Sequence, residues 1–197
     1  MQFNEATRLY SLGPASLALG TRFLASIEVH QMALVELHRL SDATHETATF
    51  SVRSGNRRVY IDQVTPKRQI ISTVAIGESN PLHVGASSKA LLAFLGETEI
   101  DAYLAYLDNE SGEDARGFEL KKELAVIRER GYAHTSEERL SGAASVAAPL
   151  LDHRGRPVAC ISIAGPADRL SALVEEHATT LLESTRALST RLGYRGE

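Results

Sequence analysis

A turn carrying Gly85, Ala86, Ser87 and Ser88 runs directly into the apolar segment from Lys89 to Leu95. Small residues at such a junction leave several backbone N–H groups free at a helix start, where a small anion can sit. A second segment, Ser145 to Pro166, reads as two buried strands around the turn Asp152-His153-Arg154-Gly155. It places Ser145, Cys160, Ser162 and Ala164 on strands. Amides and hydroxyls of this kind hold a carboxylate. They break no bond without a base, a metal or a cofactor beside them.

Those catalytic groups are not evident. His45-Glu46 opens like a zinc-protease motif, but Thr49 stands where the second histidine is needed. Gly112 and Gly117 have phosphate-loop spacing, yet Phe118-Glu119 replaces the required Lys-Ser/Thr. The run from Gly85 to Lys89 begins like a nucleophile elbow and lacks its closing glycine. Seven histidines, at 30, 38, 45, 83, 134, 153 and 177, show no metal-binding spacing, and Cys160 is the only cysteine. A triad of Asp62, His83 and Ser87 is not required by any spacing. The expectation is a protein with no catalytic residues, no metal and no cofactor. A small hydrolase using Ser87 or Ser162 is the rival in the enzyme class.

Composition narrows the class further. The chain has 197 residues, 43% apolar and 23% charged, as an ordinary globular domain does. A net charge of −4 argues against a nucleic-acid-binding surface dominating it. One cysteine excludes an internal disulfide and suits a reducing cytoplasm. No apolar run reaches the roughly 20 residues that cross a bilayer.

The elements that would position these groups follow from periodicity. Ser11 to Leu40 has helical apolar spacing, read as two helices with a break near Ser26. Thr47 to Val64 reads as a hairpin turning at Ser54-Gly55-Asn56, and Ile70 to Ile76 as a third strand. Helices are expected over 87–95, 97–107 and 119–130, the last capped by Gly131. Strands follow over 143–151 and 157–164, then a helix from near Asp168 to Leu192. Residues 109–117 are the most loop-like. Hairpins and helices in this order suggest an antiparallel sheet with helices packed on it.

Three segments in order, RLYSLGPASLALG (8–20), PLHVGASSKALLAFL (81–95) and SVAAPLLDHRGRPVACISIAGP (145–166), resemble the IclR family of bacterial transcription regulators. The resemblance covers nearly the whole chain. It implies an α+β, GAF-like effector-binding domain, a mainly antiparallel twisted sheet flanked by helices. Residues 1–24 would be the end of a DNA-binding wing and a linker helix, and 25–197 the effector-binding domain. The implied role is to sense a small organic acid and to form homodimers or homotetramers in the cytoplasm. DNA would be bound only through a winged-helix domain, of which most is missing here, and no membrane is involved. A stand-alone small-molecule-binding module without DNA function is the alternative.

Carried over by position, the effector-binding residues are Ala86, Ser87, Thr135, Ser145, Ser162 and Ala164. His83, Gly85, Ser88 and Cys160 are further pocket candidates. Thr135 and Ala164 depart from the family's commoner acid and serine, a bias towards a larger or less polar acid. Several positions keep a second reading. Ser87 caps its helix as readily as it meets a ligand. Ser162 alternates with Ile161 and Ile163, and a buried serine is as often simply satisfied. His83 reads as bonded within its loop, and Cys160 as a small buried residue. Lys89 reads as solvated or paired with a carboxylate, and Glu138 as tying a loop to backbone amides. Tyr60 and Phe50 read as pocket wall or plain core.

Overall fold

The structure is a computed structural model that describes every residue except 1, 6, 112–114 and 197. From the N-terminus, a hairpin of β1 (Gln2–Asn4) and β2 (Leu9–Ser11) leads into α1 (Ala15–Ser26) and α2 (Glu28–Thr44). Strands β3 (Thr47–Ser54), β4 (Arg57–Val64) and β5 (Ser79–Pro81) follow. Three helices come next: α3 (Ala86–Ala93), α4 (Glu97–Ser111) and α5 (Ala115–Arg130). Then come β6 (Ala133–Ser136), β7 (Ala143–Leu151), β8 (Pro157–Pro166), the short α6 (Ala167–Leu170), a 3-10 turn and α7 (Val174–Arg191).

Six strands form one antiparallel sheet in the order β5-β4-β3-β8-β7-β6. The β3–β4 hairpin closes at Gly55, whose φ of +60° suits a residue without a Cβ. Period-two alternation then sorts side chains between two faces. One face carries Phe50, Val146, Ala148, Leu150, Ile161 and Ile163, all fully buried against α2 and α7. Each such large side chain contributes about 1.5–3 kcal/mol by leaving water, so this face holds the sheet together. The other face carries Ala133, Ala147 and Cys160 under α3. It is smaller and more polar, and it includes Thr49, Ser51 and Ser162. A β-bulge at Ile61 shifts the β3–β4 register between Phe50 and Ser51.

Several sequence expectations need correcting. Residues 70–76 are not a strand. Their backbone is held instead by the Gln63 side chain, whose amide donates to the Val74 carbonyl oxygen at 2.8 Å and accepts from the Val74 N–H at 3.0 Å. The edge of β4 pairs with the short β5. Most of the stretch read as a loop is helical, since α4 reaches Ser111 and α5 starts at Ala115. Gly112 and the rest of 112–114 lie outside the described residues. The final helix starts later than expected, after the short α6 and the 3-10 turn. The break near Ser26 is real: Ile27 leaves helical geometry at φ −89°, ψ 89°. Gly131 ends α5 at φ +85°, and its N–H donates to the Ile127 carbonyl oxygen.

Candidate functional site

The polar sheet face and the start of α3 enclose a cavity of about 60 Å³. Register explains its floor. Cross-strand partners share a face, so Thr135, Ser145, Ala164 and Thr47 form one row across β6, β7, β8 and β3. The next row is Ala133, Ala147, Ser162, Thr49 and Gln63. The third is Pro149, Cys160, Ser51 and Tyr60. The first row opens into the cavity through Thr135, Ser145 and Ala164. One wall is Gly85, Ala86 and Ser87 at the start of α3, and Ser72, Thr73 and Val74 form the cover. Gln63, in the second row, clamps that cover through Val74.

Gly85 holds the wall in place. It precedes α3 at φ +81° and ψ 156°, a conformation in which a Cβ is strained. Its N–H donates to Glu138 Oε1 at 3.4 Å, and the Ala86 N–H donates to Thr135 Oγ1 at 3.2 Å. The protein's own side chains therefore meet the first two amides of the turn. Lys89, buried in the first turn of α3, donates to Glu123 Oε1 at 2.8 Å and to Glu138 Oε2 at 2.9 Å. This is the carboxylate-paired reading of Lys89, and Glu138 ties the loop to a backbone amide as expected.

The structure brings Gly85, Ala86, Ser87, Thr135, Ser145 and Ala164 together around the cavity. It places the other candidates elsewhere. Ser162 lies in the second row, and its Oγ is 2.6 Å from Thr49 Oγ1. That satisfies both hydroxyls under α3. His83 Nδ1 is 2.8 Å from the Tyr103 hydroxyl, and His83 is not part of the cavity lining. Ser88 Oγ accepts from Arg58 Nε at 3.2 Å. Cys160 lies in the third row, fully buried, and its thiol donates to the Ile161 carbonyl oxygen at 3.5 Å. Burial pushes that thiol up to about 12. Asp62, by contrast, bonds His30 at 2.9 Å on the opposite sheet face, so it forms no triad with His83 and Ser87. Phe50 is core and Tyr60 is cavity wall.

Sequence reasoning missed Arg58 and Arg139, which also line the cavity. The Arg58 guanidinium stacks 3.6 Å from the centre of the Tyr60 ring, and Arg139 lies 5.8 Å from the same ring. Arg139 Nη1 donates to Glu78 Oε1 at 2.7 Å. The Glu78 carboxyl is held below its usual range, first by the Asn80 side chain and also by Arg139. Arg58 is lowered by burial. The signal for Arg58 was present. In Arg57-Arg58-Val59-Tyr60, period two sets Arg58 and Tyr60 on the face opposite Val59. Among the described residues, no group of three or more His, Cys, Asp or Glu could hold a metal. No helix among them is long and apolar enough to cross a membrane.

Helices on both faces of a curled antiparallel sheet, with a small polar cavity under one of them, are the architecture of effector-binding domains of bacterial regulators. The chain belongs to the IclR family: residues 21–190 match the family described as "Bacterial transcriptional regulator IclR C-terminal". The HTH-type transcriptional regulator XynR of Escherichia coli (strain K12) is 33% identical over 195 residues, covering 97% of this chain and 77% of that protein. The HTH-type transcriptional regulator KipR of Bacillus subtilis (strain 168) is 27% identical over 96% of this chain and 78% of that protein. Among solved structures, the Thermotoga maritima IclR matches with a TM-score of 0.83 and 31% identity, over 98% of this chain and 79% of that one. The C-terminal domain of Escherichia coli KdgR matches with a TM-score of 0.71 and 26% identity, over 84% of this chain and 99% of that one. These relatives are named as transcription regulators, not enzymes.

Proposed function

We propose that this chain is the ligand-sensing and self-associating part of a DNA-binding transcription regulator, and that its cavity takes a small organic acid. The cavity between the start of α3 and the Thr135–Ser145–Ala164 row carries this reading. Its walls are amides, hydroxyls and guanidinium groups, a set that recognises an acid without transforming it. A volume of about 60 Å³ suits a compact acid.

Residues 1–24 would connect to the DNA-binding part, and 25–197 would sense. The difference in burial supports this division. No residue of α1 is buried, whereas α2 buries Val29, Ala33, Leu37 and Leu40. A bound acid would change DNA affinity only by favouring one arrangement of these parts over another.

The test is a thermal-shift panel of small aliphatic and aromatic carboxylic acids. An acid at a hundred times its dissociation constant is expected to add roughly 2.7 kcal/mol of stability. Ala164→Leu, which fills the cavity from its floor, should abolish the shift while circular dichroism shows an unchanged fold. A shift of the same size in folded Ala164→Leu protein would place the ligand elsewhere.

A further inference from the structure

Arg58 is 1% exposed. Its Nη1 is buried with no hydrogen-bond partner, and its one bond is the neutral contact from Nε to Ser88. No carboxylate of the described residues lies within ion-pair distance of it. The other charged residues of the lining have ion-pair partners: Glu138 pairs with Lys89, which it shares with Glu123, and Arg139 pairs with Glu78. Arg58 is the lining charge that has none among the described residues. A buried cation without a partner is costly, and such a group in a native fold needs an explanation. Two more orphaned hydroxyls belong to the same sheet face. Thr47 Oγ1 sits beside Ala164 in register, and Ser51 Oγ sits beside Tyr60.

The first two amides of the turn are already engaged by Glu138 and Thr135. An incoming carboxylate gains less there than at a guanidinium with an unpaired donor. A guanidinium also presents two parallel N–H groups that match a carboxylate. Stacking on Tyr60 fixes the plane of that fork, so little side-chain freedom is lost on binding.

We propose that Arg58 is the anion anchor of the cavity and selects a compact monocarboxylate: the ligand's carboxylate sits on the guanidinium fork, and its remaining polar atoms face Thr135, Ser145 and Ser87. This rests on the reading of the cavity as a ligand site. One unmatched charge balances one carboxylate. A dicarboxylate brings a second charge that meets Glu138, and a neutral amide leaves Arg58 uncompensated.

The experiment uses lactate, lactamide and malate as probes, by thermal shift and calorimetry at pH 7.5 and matched ionic strength. The proteins are the wild type and Arg58→Met. Lactate is expected to bind the wild type about tenfold or more tightly than lactamide or malate. Arg58→Met should lose that preference and remain at least as stable as the unliganded wild type, because it removes an unmatched charge. Should Arg58→Met not fold, the wild type's contrast between lactate and lactamide still decides. Equal binding of lactate and lactamide overturns the anchor and leaves the cavity reading standing. So does undiminished lactate binding by Arg58→Met. Binding of none of the three overturns the anchor as well, and the wider acid panel then decides on the cavity itself.

Discussion

Cys160 shows how little a residue's chemical type says without its surroundings. It sits between Pro149 and Ser51 in the third row of the polar sheet face, one row from Ser162 and two from the cavity floor. A thiol reacts as its thiolate, and burial disfavours that charged form. With its pKa pushed up to about 12, it should resist alkylation by maleimide at pH 7.5 in the folded protein and react fully in denaturant. Mass spectrometry reads this directly. Labelling of the native protein as fast as a free cysteine peptide would mean that α3 does not cover it. Gly165, nearby on β8, is constrained by packing instead of by its backbone angles. A Cβ there would lie 2.5 Å from Glu46 Oε2. Glu46 is buried and holds Arg169 through two bonds of 2.8 and 3.0 Å. Arg169 in turn donates to the Ile70 carbonyl oxygen at 3.1 Å, which ties down the segment leading to the cavity cover.

The elements differ in what holds them. α3 is anchored from below by Leu91 and Leu92 and from the side by Lys89 with its two glutamates. Glu123 and Glu138 remain 40% and 30% exposed, so solvent screening leaves the ion pairs secondary to apolar burial. α1 has no such anchor. Leu19 and Phe23, one helical turn apart on one face, are 71% and 51% exposed. An apolar face of this kind suits a second copy of the chain. Light scattering after size exclusion should find a dimer or larger assembly at micromolar concentration, and Leu19→Glu with Phe23→Glu should give a monomer. A wild-type monomer would remove α1 from self-association. Local pattern made the long pieces legible: the β3–β4 hairpin, β7, β8 and the two N-terminal helices all carry strong periodicity. The start of α3 announced itself through Gly85 and its small neighbours. Residues 70–76 misled because β-branched residues describe a fit to a sheet and name no partner; a glutamine side chain supplied the partner. Arg58 stayed unread because two adjacent arginines look like solvated turn residues until register assigns each a face.

At the scale of the whole molecule, the charge balance sets a pH dependence. His134 lies on β6 and His177 on α7, both held below the usual histidine range by burial, and His134 also by Arg130. A base whose folded pKa is lowered takes up its proton more readily in the unfolded chain. Its contribution to stability is therefore complete above the unfolded histidine value, about 6.5, and is lost as pH falls through the folded value. Glu78, Glu99 and Asp152 are lowered acids, held down by hydrogen bonds and nearby guanidinium groups. They contribute stability above their unfolded values, near 4, which disappears at lower pH. Loss on acidification should come in two stages: a first below about 6.5 from the histidines, and a steeper one below about 4.5 from the carboxylates. Urea midpoints at pH 7.5, 5.5 and 4 measure both. Replacing His134 and His177 together with Phe should flatten the first stage and spare the second. An unchanged fall between pH 7.5 and 5.5 in that double variant would trace the first stage to some other group, and the neutral imidazoles between sheet and helix would then have no part in the protein's response to acid.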